Sequence, residues 1–385
     1  MTRFCSIFSQ LLQLFSRHDF EKAVKATRAE RHARGFRSWD QFVAMLFCQL
    51  GRAHSLREIC GGLASCEGRL AHLGAKVPAK STLAYANEHR PHELFKGMFY
   101  QLLERCQAIA PPKKFRFKNK LLSLDATVIR VCVEIFDWAK FQRTKGAIKL
   151  HFTLDHDGYL PTIMVMTQGN RSEMAVAHRW KFAPGTVLVF DKAYNSMDWL
   201  WELTQSGVFF VTRLRAAIEY RVVERRKVPQ NRRIISDRLI RFTGQIGRRK
   251  YPDPLRVVVI ETEQGERLEF LTNHLEWGAS TIAAIYKDRW QIELFFKAIK
   301  QNLKIKTFVG TSVNALLIQI WTALIAILIL KYLQIRSSFG WSLSNLVALL
   351  RMNLFVYRDL WSWLNDPFKG PPIPTVPVQG DFDFG

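Results

Sequence analysis

Four residues with complementary chemistry recur along one stretch of the chain: Tyr286, Arg289, Glu293 and Lys300. On a helix, at ~100° per residue, they fall within an arc of about 60°. A carboxylate flanked by a phenol, a guanidinium and an ammonium suits a metal ion held beside a bound phosphate. Taken singly, each residue fits an ordinary solvated face, with Glu293 paired to Lys297 one turn on; the four together are better explained by phosphate chemistry. Two aspartates could complete a ligand set. Asp125 interrupts the apolar run Leu121 to Ile129, where a charge is costly unless it is paired or bound to a metal. Asp191 follows Val187-Leu-Val-Phe190, and ligands in α/β sheets gather at the carboxyl ends of strands; taken alone it also suits a turn or a helix cap.

These groups need a sheet and a helix to hold them. Leu121–Ile129, Ile148–Leu154 and Leu160–Met166 are short apolar or alternating runs, and His156-Asp157-Gly158 between the last two reads as a hairpin turn. A helix from Ser172 to Trp180, a strand over Thr186–Phe190, a helix from Ser196 to Gln205 and a strand over Val208–Thr212 follow, an α/β layered pattern. From Arg213 to Asn273 the chain becomes β-like again, with strands expected at Val257–Ile260 and Leu268–Thr272. Arg213 to Lys250 holds thirteen Lys and Arg against three acids. One long helix is expected from about Ser280 to Asn302, its apolar stripe of Ile285, Ile292, Phe296, Ile299 and Leu303 packed on the sheet.

Before this region, Phe4 to about Ala110 has helical spacing. Starts are marked by Ser38, by Ser55 with Glu58 as a capping box, and by Ser81-Thr82. Pro111-Pro112 and Lys113-Lys114 read as a linker. More helix is expected to about Leu364, then an irregular Pro- and Gly-rich tail from Pro367. The expected organisation is therefore a helical block over 1–112, whose short basic helices suit a DNA-binding domain and equally a generic helical bundle, an α/β domain over 113–306 that carries the three acids and is interrupted by a basic β-rich insertion over 214–275, and C-terminal helices with the tail over 307–385. The first block is expected to fold alone and to meet DNA through Arg37, Arg52, Arg57, Lys80 and Arg90, near its helix ends.

Charge narrows the partners. Fifty-six Lys and Arg against 33 Asp and Glu give a formal +23 over 385 residues, a field that favours polyanions. The six cysteines include no C-x-x-C pair and none lies beyond Cys132, which argues against a disulfide framework or structural zinc site and fits a reducing cytoplasm. Polar residues interrupt the first fifteen positions, which read as an amphipathic helix and not a signal peptide. Ala315–Leu330 is nearly all apolar but shorter than the ~20 residues of a membrane span, and reads as a core helix.

Asp125-Ala-Thr127, Phe190-Asp191-Lys-Ala-Tyr194, Phe210-Val-Thr-Arg213 and the Y-x2-R-x3-E-x6-K string of Tyr286 to Lys300 together resemble the DDE transposases of bacterial insertion sequences. The resemblance is to the insertion-sequence-four group, relatives of the transposon Tn-five transposase. Asp40-Gln-Phe-Val-Ala-Met45, Ser55-Leu-Arg-Glu58 and Ser81-Thr-Leu83 resemble a helical N-terminal domain found in one branch of that group. The resemblance covers about residues 1 to 340. Lys192 and Ala193 depart from the Arg and Gly common at those places, and neither is a ligand position. The resemblance implies an RNase H-like core with a β-rich insertion between the second Asp and the Glu; the 101 residues from Asp191 to Glu293 leave room for it. It also implies Asp125, Asp191 and Glu293 as catalytic metal ligands. An all-carboxylate set suits two Mg²⁺ ions, with Mn²⁺ able to substitute, and two such ions support in-line cleavage and then joining of DNA strands. The expected partners are transposon-end and target DNA, with a homodimer when the ends are paired. Tyr286, Arg289, Lys300 and Arg213 would hold end phosphates, and Arg225, Arg226 and Lys227 of the insertion would contact the backbone. The alternatives are a domesticated, inactive DNA-binding relative and a nuclease of the same fold, which would cleave without joining.

Overall fold

The computed structural model describes residues 5–31, 33–66, 70–131, 140–142, 145–215, 218–228, 233–302 and 309–369. Leu303 of the expected apolar stripe, Phe4 and the tail beyond residue 369 lie outside them. Among the described residues ten strands form one sheet: β1 (Leu121–Val131), β2 (Lys140–Gln142), β3 (Lys145–Asp155), β4 (Leu160–Gln168), β5 (Val187–Phe190), β6 (Phe209–Arg213), β7 (Tyr220–Arg226), β8 (Ile234–Phe242), β9 (Leu255–Glu261) and β10 (Arg267–Thr272). β4, β3 and β1 form an antiparallel meander, turned at Gly158, whose φ of 72° suits a residue without a side chain. β5 and β6 then add parallel to β1. This five-strand order is the RNase H-like arrangement.

The β-rich insertion is a continuation of that sheet. β10 pairs with β6, and β9, β8 and β7 follow outward, each antiparallel to the last. A buried, bidentate Arg256–Asp237 pair at 2.8 and 2.6 Å joins β9 to β8, and the same guanidinium donates to the carbonyls of Leu275 and Trp277. A charge buried this deeply survives because every donor group has a partner. The short helix Gln245–Lys250 between β8 and β9 was not legible among its charges.

Side-chain alternation divides the sheet into two faces. Leu122, Leu124, Leu188, Phe190 and Phe210 pack on one side against Trp199, Leu200 and Leu203 of the helix Met197–Gln205. Leu121, Val187, Val189, Val211 and Phe270 point to the other, where Ile282 and Ile285 cover them. The expected long helix proves to be two, Ala279–Asp288 and Trp290–Asn302, abutting at Arg289. No Pro or Gly explains the break; instead the Asp288 side chain, 2% exposed, turns into a buried polar cluster, and the amide of Arg289 bonds three residues back, to Tyr286. The second helix buries Ile292, Phe295, Phe296 and Ile299 against Ile129, Ile148 and Phe152.

The N-terminal helices arise largely where their caps demand. Ser55 Oγ accepts from the Glu58 amide while Glu58 accepts from that of His54, a nearly reciprocal box. The helix expected at Ser38 spans Ser38–Leu50, with Asp40 accepting the Arg37 amide at 2.7 Å. The Ser81 helix begins one residue earlier, at Lys80. The helix Val313–Arg336 is longer than its apolar run suggested, 24 residues, enough by length and apolarity to cross a membrane. Its place is decided by burial: Leu316 through Leu330 lie inside a protein core shared with Phe42, Leu46, Phe95, Phe99 and Leu102 of the N-terminal block. Two of its buried polar side chains are hydrogen-bonded, Gln319 accepting from the Val309 amide and Thr322 donating to the Ile318 carbonyl, while the buried Trp321 indole N–H has no partner among the described residues. The N-terminal and C-terminal helices thus share one core.

Candidate active site

Register brings the first two acids together. β1 and β5 are paired through Leu124 and Phe190, so Asp125 and Asp191 each stand one residue beyond the last matched rung. β5 and β6 are paired through Phe190 and Thr212, which puts Arg213 at the same level. Neighbouring strands are spaced about 4.8 Å apart, so Asp125, Asp191 and Arg213 form a row across three strands, just past the end of β5, while β1 runs on beyond Asp125 to Val131. By alternation all three belong to the face that the helix pair covers. The sequence folds this way because Val187–Phe190 is wholly buried and can only be a central strand, whose end then delivers Asp191 to the crevice.

Glu293 reaches the row from the helix Trp290–Asn302 through Arg289. One Arg289 nitrogen lies 2.7 Å from Glu293 Oε1 and the other 3.6 Å from Asp125 Oδ2. Burial pushes the Asp125 carboxyl up to about 6; its own strand's Ala126 amide and Arg289 pull it down, while Glu173 and Glu293 add to the rise. An anion so placed is short of positive charge. Asp191 begins a short turn of helix, Oδ1 accepting from the Lys192 amide at 2.7 Å, so the capping role is real but occupies one oxygen only. Among the described residues no three His, Cys, Asp or Glu side chains already stand close enough to share one ion. The chemistry of these donors nevertheless suits a hard divalent cation: carboxylate oxygens only, with Asp125 and Asp191 level on adjacent strands and Asp125 under-compensated.

Tyr286 stacks on Phe270 at 4.6 Å, with the Arg289 guanidinium 5.5 Å from its ring. Burial raises its hydroxyl, and Arg289, Asp191 and Arg213 all act on it. Arg289 is therefore a bridge between two acids as it stands, not a free phosphate clamp. Arg213 is held loosely, 3.4 Å from the exposed Glu266. Lys300 lies two turns beyond Glu293, half-buried. Beside these residues a cleft of about 610 Å³ opens between the insertion and the helix pair, with Phe270, Tyr286, Arg289 and Trp290 in its wall. Two further groups were given no role by the sequence, although Tyr194 closes the motif around Asp191. Glu173, beside Lys149, acts electrostatically on Asp125. The Tyr194 hydroxyl is buried without a hydrogen-bond partner and is pushed up by burial and by Glu173, Asp125 and Asp191.

The insertion cations expected to meet the DNA backbone, Arg225, Arg226 and Lys227, are remote, although Arg233 of the same insertion lines the cleft. β7 lies four strand spacings beyond β6, roughly 19 Å. Arg225 and Lys227 are exposed there, whereas Arg226 donates to the Leu275 carbonyl and pairs with Glu224. In the N-terminal block Arg52, Arg57 and Lys80 are exposed. Arg90 is not free for DNA, since its guanidinium donates to the Phe36 carbonyl and to Gln41; Arg37 pairs with Glu30 at 3.1 Å.

Residues 5–76 match a family described as a domain of unknown function, DUF4372. Among curated relatives, "Putative transposase y4zB" of Sinorhizobium fredii is 29% identical over 309 residues, 79% of this chain and 85% of that one. "Probable transposase for insertion sequence element IS5377" of Geobacillus stearothermophilus is 28% identical over 257 residues, 66% and 67% of the two chains. The cryo-EM structure of a piggyBac transposase synaptic complex with hairpin DNA covers 97% of this chain and 84% of its own at 11% identity and a TM-score of 0.42, a distance at which the likeness carries no weight. The family described as the transposase DDE domain matches residues 116–329, more than half of the chain and the whole stretch from β1 to Glu293 and beyond; the chain belongs to the DDE transposases of insertion sequences.

Proposed function

We propose that this transposase binds the ends of its own insertion sequence, cleaves DNA there and joins the freed ends to target DNA, with Asp125, Asp191 and Glu293 holding divalent ions, Mg²⁺ or Mn²⁺. The observation that carries the reading is the shared level of Asp125 and Asp191 on adjacent parallel strands, with Glu293 tied to Asp125 through Arg289. When bound, such ions would polarise the scissile phosphate and favour an oxygen nucleophile. The chain's own residues do the rest. Arg289 neutralises and spaces two acids that would otherwise repel, and is placed to turn toward a phosphate once they are otherwise compensated. Arg213 and Lys300 offer cations along the approach, and Tyr286 a hydroxyl at the cleft wall. Exposed Arg225 and Lys227 would hold backbone further out, where they position DNA without reading it. Pairing of two ends would bring two copies together.

The test is cleavage of end DNA beside a gel shift. Asp191→Ala and Glu293→Ala should each lose metal-dependent cleavage and joining while end binding stays within about twofold, because affinity rests on Lys and Arg contacts to phosphate. Wild-type cleavage by Glu293→Ala would remove it from the ligand set.

A further inference from the structure

Behind the row of acids lies a buried polar chain that the chemistry above does not use. Ser123 Oγ is 2.7 Å from His156 Nε2, and His156 Nδ1 is 2.7 Å from Asp288 Oδ2. The other Asp288 oxygen is 2.5 Å from Lys114 Nζ, and the Tyr159 hydroxyl donates to the same carboxylate at 3.2 Å. Ser123, His156 and Asp288 are 0%, 1% and 2% exposed. Although serine, histidine and aspartate stand in the order of a hydrolase triad, no substrate can reach this serine. The ends of the chain matter instead. Ser123 is on β1, two residues before Asp125 and on the same face. Asp288 is the last residue of its helix and precedes Arg289, the bridge to Glu293. Burial pushes the Asp288 carboxyl up, but the hydrogen bonds from His156 and Lys114 outweigh it and keep the group below its ordinary value. An ionised carboxylate only accepts, so Nδ1 carries the proton that His156 gives it.

We propose that Ser123, His156 and Asp288 are positioning residues: they clamp the helix break that aims Arg289 and Glu293 to the strand that carries Asp125, and so fix the separation of two metal ligands. The proposal rests on the metal-ligand reading above. Apart from the long Arg289–Asp125 contact at 3.6 Å, strand and helix here meet through apolar packing, which tolerates small slides, whereas a chain of directed hydrogen bonds between buried groups does not. Groups that orient metal ligands from behind commonly change affinity or activity 10–100-fold when removed.

The experiment uses the full-length protein and two readouts, metal-induced thermal stabilisation during Mn²⁺ titration and cleavage of pre-bound end DNA at varied Mg²⁺. Ser123→Ala should leave end binding unchanged and raise the metal concentration for half effect about tenfold in both readouts, with cleavage partly restored at high Mg²⁺. Asp288→Asn, which keeps shape and an accepting oxygen, should be milder than Asp288→Ala. If Ser123→Ala does not fold, Ser123→Cys, which replaces the hydroxyl bonded to His156 with a weakly bonding thiol of similar size, makes the same comparison. Asp125→Ala separates the two ideas. Should it keep the Mn²⁺-induced stabilisation, the ligand reading falls. Should it lose that stabilisation while Ser123→Ala or Ser123→Cys titrates like wild type, the positioning role is overturned.

Discussion

Asp125→Asn should stabilise the metal-free protein while abolishing its cleavage. The folded carboxyl is raised from 3.8 to about 6, so the fold prefers it protonated. At 1.36 kcal/mol per pH unit the rise corresponds to roughly 3 kcal/mol. The side chain is 22% exposed, and solvent screening trims the figure, so about 1–3 kcal/mol is expected. The sign follows from proton linkage. As pH climbs above 3.8 the unfolded chain gives up this proton while the folded one keeps it until near 6; stability therefore falls across that window, and the full penalty applies above it. Asparagine mimics the protonated acid and never incurs the penalty, and Arg289 keeps Glu293 at 2.7 Å. Urea unfolding of both proteins in chelator should show the variant ahead at pH 7.5 and the gap closing toward pH 4. Added Mg²⁺ should stabilise the wild type only. A variant no more stable than wild type at pH 7.5, or a gap that ignores pH, would show that Asp125 is not an uncompensated anion.

The other predictions follow from the surrounding sheet and core. Replacing Arg225 and Lys227 with Ala should lower the slope of log affinity against log salt by about one for each lost phosphate contact, without loss of stability. Arg226→Ala should cost stability as well, because its guanidinium holds the Leu275 carbonyl. Asp237→Ala strands the buried Arg256 and should destabilise by about 3–5 kcal/mol in a denaturant melt; Arg256 and Asp237 replaced together by apolar residues should lose less. Residues 1–112 expressed alone should show helix by circular dichroism but bind a hydrophobic dye and melt without cooperativity, since Val313–Arg336 supplies part of their core.

The strand before Asp191 could be read from sequence because it is a short, wholly apolar run ended by a turn, and the strand that carries Asp125 because apolar residues alternate with polar ones along it. The hairpin at Gly158 was legible for the same kind of reason, since its backbone conformation selects glycine. Register was not legible: nothing in the residues says that Leu124 meets Phe190, and that pairing puts the two acids level. The break at Arg289 stayed hidden because its cause, Asp288 bonded to His156, lies 132 positions away in sequence. Glu173 and Tyr194 were missed likewise, as groups made relevant by contacts that close only in three dimensions. The insertion announced itself by charge, but β7 and β8 alternate arginines with valines and isoleucines too irregularly to fix their ends. Arg90 reads as one more surface cation until its partners, Phe36 and Gln41, are seen around it.

A helix that reaches back from the far end of the chain also sets an order of events. The helices up to Ile109 leave the ribosome early, but their shared core lacks its central member until Val313–Arg336 has been made. At 5–20 residues per second, the intervening stretch of about 200 residues takes roughly 10–40 s to synthesise. During that interval the catalytic sheet can form while the N-terminal helices still expose apolar surface to water. A prematurely ended chain would never close this core, so incomplete copies should be cleared by proteolysis before they could compete for DNA.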